Sequence, residues 1–200
     1  MGIFDQIGGL VDLLTNSQDL PSLDSLSAKS GIDKGSIGKI LSLGLPAILQ
    51  GMNHNNQTPE GLESFSEALN QHEQALDHYQ SPDDLLNQAD EVEGDKVLGH
   101  VFKDKDSIIN RIADTLGIEP AAVKRVLILI APMVLKYLAD QRRKNQLDNE
   151  GLKKETDQLA RKAREASQAS GSIFDKLLGS KDTDSQSSGG LLDTILDLIR

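Results

Sequence analysis

Apolar positions along the chain concentrate in two stretches. Between Leu26 and Met52 they fall at Ile37, Ile40, Leu41, Leu45, Ile48, Leu49 and Met52. Between Ile112 and Leu138 they fall at Val123, Val126, Leu127, Ala131, Val134, Leu135 and Leu138. Both sets follow the 3.6-residue period of a helix. Leu43, Ala47, Ile128, Leu129 and Met133 lie off that stripe, so each predicted helix is apolar over more than one face and calls for burial on several sides. The two stretches superpose without a gap at an offset of 86 residues, with Gly31/Gly117, Ile32/Ile118, Leu41/Leu127, Leu43/Leu129, Pro46/Pro132 and Leu49/Leu135 identical. Self-similarity of this kind predicts a duplicated structural unit.

Each unit reads as a short helix, a tight turn and a longer helix. Gly31 and Gly117 stand where a helix ends in a left-handed residue, a conformation that costs glycine nothing. Asp33 and Glu119 stand at the next cap position, and Pro120 occupies the first helical position of the second unit. Ile32 with Ile37, and Ile118 with Val123, have the spacing of a hydrophobic staple. Pro46 and Pro132 interrupt the long helices at matching steps and predict a matching bend. The two units are expected to pack about a pseudo-twofold axis.

The remaining chain divides around this core. Residues 1–18 form an amphipathic segment with Ile3, Phe4 and Ile7 on its apolar side. Residues 19–140 hold the duplicated core, with repeats at 26–52 and 112–138. Between the repeats, Gly51 to Gln57 is expected as an Asn-rich loop, Thr58-Pro59 as a helix start, Ser81-Pro82 as another, and the acidic Glu91 to Asp95 as loop. Residues 141–170 are charged and free of proline, so the second long helix is expected to run on into solvent. Residues 171–200 combine a Ser- and Asp-rich linker with an apolar helix carrying Leu191, Leu192, Ile195, Leu196 and Ile199. That tail echoes the N-terminal segment, and both ends are expected to dock on the core or on another subunit.

Composition narrows the function classes. The chain of 200 residues is 38% hydrophobic and 26% charged, as soluble proteins are. With 3% aromatic residues and no Trp the core must be aliphatic, and the absence of Cys removes disulfides and thiolate chemistry. The start, MGIFDQIGG, carries acid where a secretory leader carries base, and the longest apolar run, Val126 to Leu135, is too short to span a bilayer. A soluble cytoplasmic protein is expected. No phosphate loop, nucleophile elbow or metalloprotease helix occurs, and His54, His72, His78 and His100 lack ligand spacing. No catalytic residue, metal or cofactor is assigned, and the protein is expected not to be an enzyme. The turns have helix-turn-helix spacing, and Lys34, Lys39, Lys124 and Arg125 are the residues that would meet a nucleic acid. A net charge of −10 and the apolar faces beyond Lys39 and Arg125 argue against that partner.

The segment Glu93 to Phe102, EGDKVLGHVF, the two proline-bearing apolar helices and the glycine- and leucine-containing C-terminus together resemble the bacterial domain-of-unknown-function 937 family, which includes the YidB-like proteins. The resemblance covers residues 20 to 140 and implies an all-helical protein without established catalytic residues. The tail departs from the family's denser glycine and leucine runs. The resulting expectation is an all-α protein, two helix-turn-helix units in one core with auxiliary helices and a charged helical extension. Its expected role is a non-enzymatic, self-associating scaffold or assembly protein forming a homo-oligomer through Ile3, Phe4, Ile7 and the tail residues. The alternative is a helix-turn-helix nucleic-acid-binding regulator.

Overall fold

The computed structural model describes residues 22–76, 81–88 and 90–177. Among them are eight helices and no strand: α1 Leu23–Ser30, α2 Lys34–Asn55, α3 Pro59–Leu76, α4 Pro82–Gln88, α5 Glu91–Val101, α6 Lys105–Leu116, α7 Pro120–Asn145 and α8 Asn149–Leu177. The protein is all-α.

Local chemistry sets most of the boundaries. Gly31 (φ 72°) and Gly117 (φ 63°) both adopt the left-handed conformation, closing α1 and α6. Their amides donate back to the carbonyls of Ser27 and Ala113. Asp33 caps α2 by accepting from the Ser36 amide at 2.9 Å. Glu119 occupies the matching place before α7 without making a side-chain cap, so Pro120 alone marks that start. Thr58 caps α3 by accepting from the Gly61 amide, and Ser81 caps α4 by accepting from that of Asp84.

Three expectations change. The Asn-rich stretch is not a loop, because α2 runs on to Asn55. Asn55 Nδ2 then donates to the carbonyls of His100 and Val101 and so ties the end of α2 to the end of α5. The acidic stretch Glu91 to Asp95 is the first turn of α5. Asp90 caps it by accepting from the Val92 amide at 2.8 Å, and acids in a first turn suit the positive end of a helix.

The third change concerns the charged extension. Rather than running into solvent, α7 stops at Asn145, and Gln146 turns the chain in a left-handed conformation (φ 50°). The Leu147 amide closes the turn on the Arg142 carbonyl at 2.9 Å, the 6→1 bond of a Schellman turn. Asp148 then caps α8 by accepting from the Gly151 amide at 2.8 Å. Helix α8 folds back along α2, with lesser contacts to α3 and α7. It runs antiparallel to α2, since Asn56 meets Thr156 whereas Gln50 meets Ala160. Leu152, Thr156, Ala160 and Ala163 recur at steps of three or four and are buried.

The long helices α2 and α7 touch each other at the centre, where α5, α6 and α3 cover α7 and α8 covers α2. Close approach needs glycine at two points. A Cβ on Gly94 would lie 2.2 Å from the Ile128 carbonyl oxygen of α7, and one on Gly44 would lie 2.3 Å from a Leu127 methyl. The apolar excess on both long helices is thereby buried within one chain. Among the described residues Val92, 61% exposed, is the single exposed large hydrophobic side chain.

Candidate functional site

The turn face holds Lys34, Lys39, Lys124 and Arg125, the four cations with helix-turn-helix placement. Lys34 is ion-paired with Asp24. Lys124 lies 3.4 Å from Asp95, and Arg125 lies 3.8 Å from Glu91 and donates to the Ser30 carbonyl. Lys39 is exposed on α2. Acids therefore neutralise three of the four, and the shallow recess of about 510 Å³ between the turns is rimmed by Glu91 and Glu119 beside Lys124 and Arg125. A polyanion would meet mixed charge there.

Asp95 is a residue that the sequence reading left without a role. It sits on α5, accepts a hydrogen bond from Lys105 of α6 and pairs with Lys124 of α7. Lys105 first, and Lys124 second, hold its carboxyl below the ordinary value of 3.8. Asp33 and Asp104 are lowered as well, in each case chiefly by the side-chain hydroxyl of the serine three residues on, Ser36 and Ser107. All three carboxylates are engaged in capping or clamping helices. The signal for Asp95 was present, since it lies inside EGDKVLGHVF, but its partners are ten and more residues away.

A second recess, about 700 Å³, opens where the C-terminal ends of α2 and α5 meet the start of α3. Met52, Phe65, Val101 and Leu135 line its floor, with His54, His100 and Lys103 beside them. The pattern on single helices gave no hint of this cleft, because its walls come from four elements. The basic run after Leu138 is also partly committed. Arg142 donates to the Ser66 carbonyl and to Asn70 Oδ1 of α3, and Arg143 pairs with Asp140.

The self-association residues Ile3, Phe4, Ile7, Leu191, Leu192, Ile195, Leu196 and Ile199 lie outside the described residues. Among the described residues no helix is long and apolar enough to cross a membrane.

No curated protein and no solved structure matches the chain. A family model, described as bacterial protein of unknown function (DUF937), matches residues 12–141, which takes in the turns, both proline-bearing helices and the Asp95 segment. On that match the chain belongs to the DUF937 family of bacterial proteins.

Proposed function

We propose that the protein is a non-enzymatic scaffold or assembly protein of the cytoplasm that works by associating with copies of itself. One contrast carries the reading. The described helices bury their apolar faces against one another, while both ends of the chain carry further apolar, glycine-punctuated segments, IFDQIGGLVDLL and GGLLDTILDLI. Segments of that composition gain free energy by docking on a partner. Asp33, Asp95 and Asp104, the carboxylates with lowered pKa, are used for capping and clamping, which favours a structural role over acid–base chemistry.

The test is size exclusion with light scattering, on the full chain and on a chain lacking residues 180–200, over a range of concentration and salt. A defined, salt-tolerant oligomer that shrinks on deletion supports the reading. A monodisperse monomer that deletion leaves unchanged sinks it. The alternative, a nucleic-acid-binding regulator, has the turn geometry in its favour and the local charge against it. Salt-dependent binding of duplex DNA, lost in the Lys39→Glu variant, would restore it.

A further inference from the structure

The turn between α7 and α8 is built differently from the other two left-handed turns. Glycine holds those at 31 and 117, whereas Gln146 is the only non-glycine with positive φ among the described residues. From Met133 to Glu150 there is neither glycine nor proline, so the Asp148 cap is the one local side-chain signal against α7 continuing as helix. Yet α8, once turned back, rests mainly on α2, at the far end of the sequence, and much less on its neighbour α7. A short strained connection, a hinge without glycine or proline and an interface made mainly with a helix distant in sequence are the ingredients of element exchange.

We infer that α8 is exchanged between two copies of the chain. This deepens the self-association proposed above and rests on it. In the exchanged form Gln146 adopts helical φ, α7 and α8 join into one helix over residues 120–177, roughly 85 Å long, and each α8 covers the α2 of the other copy. The contacts at the interface are unchanged, among them Gln50 Nε2 donating to the Ala160 carbonyl and Asn56 Nδ2 donating to Thr156 Oγ1. The left-handed hinge is released in both copies.

The chain contains no cysteine, so a pair introduced as Asn56→Cys and Thr156→Cys in the full chain reports the pairing directly. After oxidation of size-exclusion fractions, denaturing electrophoresis should show a covalent dimer from the dimer fraction and a cross-linked monomer from the monomer fraction. A dimer fraction that yields only intrachain cross-links overturns the exchange while leaving self-association standing. A monomer at every concentration overturns self-association and the exchange with it. Hinge variants without cysteine give an independent reading. Gln146→Gly should lower the dimerisation constant about five-fold per hinge by relieving the left-handed strain of the closed form, and Asp148→Ala, which removes the cap of α8, should raise it. Equal dimer fractions in all three chains overturn the inference.

Discussion

Asn56, at the end of α2, donates from Nδ2 to Thr156 Oγ1 of α8 across 3.3 Å, and the two residues stand 100 positions apart in the sequence. Both are buried, and Asn56 Oδ1 accepts no hydrogen bond. A buried polar pair of this kind contributes little net stability, yet removing one member leaves the other unsatisfied. Its value lies in register, since sliding α8 along α2 by one turn would bury Asn56 against aliphatic side chains.

The pair therefore predicts an asymmetry. Thr156→Val alone should cost about 1–2 kcal/mol in urea unfolding, because Asn56 then loses its partner. Asn56→Leu combined with Thr156→Val should lie within about 1 kcal/mol of the parent or exceed it. If the double variant proves the weaker, the pair stabilises rather than positions.

Gln146 offers a second measurement. Its left-handed φ of 50° suits glycine, so Gln146→Gly should raise stability by about 0.5–1 kcal/mol despite the extra freedom glycine has when unfolded. Gly117→Ala, at φ 63°, should lose about 1 kcal/mol on the same argument.

Helix α5 contains two glycines with opposite expectations. Gly94 faces the Ile128 carbonyl, a backbone atom that cannot swing aside, and Gly94→Ala should cost about 2–3 kcal/mol. A Cβ on Gly99 meets nothing within 4 Å, and Gly99→Ala should stabilise the helix by about 0.5–1 kcal/mol. Thermal unfolding followed by circular dichroism distinguishes the two in one experiment.

The lowered carboxylates of Asp33, Asp95 and Asp104 set an acid limit. Each has a folded pKa below its unfolded value of 3.8, so its contribution is fully present at pH values well above 3.8 and fades as pH falls through the folded values. Stability should stay flat from neutrality to about pH 5 and drop below about pH 4. Asp95→Asn should lower the plateau by about 1 kcal/mol and blunt the acid transition, read from urea midpoints against pH. A transition centred near pH 6 would point to histidine instead.

Much of the fold was legible because the chain marks its turns with special residues. Gly31, Gly117, Pro120 and the Thr58-Pro59 and Ser81-Pro82 pairs act through local backbone chemistry, and the apolar periods of α2 and α7 exceed what one face can bury. The failures have physical causes too. Glu91 to Asp95 resembled a loop by charge, although Asp90 and the helix dipole favour those acids at a helix start. The reversal at Gln146 carries no glycine, and tertiary burial of Leu152, Thr156 and Ala160 against α2 decides it. For the same reason the Asp95 clamp and the cleft near Met52 were invisible, each being assembled from several helices.

The covering of α2 by α8 also has a temporal side. During synthesis α2 is complete about a hundred residues before α8 exists, which at ~5–20 residues per second leaves its apolar side uncovered for roughly 5–20 s. Under the exchange inferred above, the choice between closing on itself and closing on a neighbour becomes a race between translation and encounter, and denser loading of the message should favour the exchanged dimer.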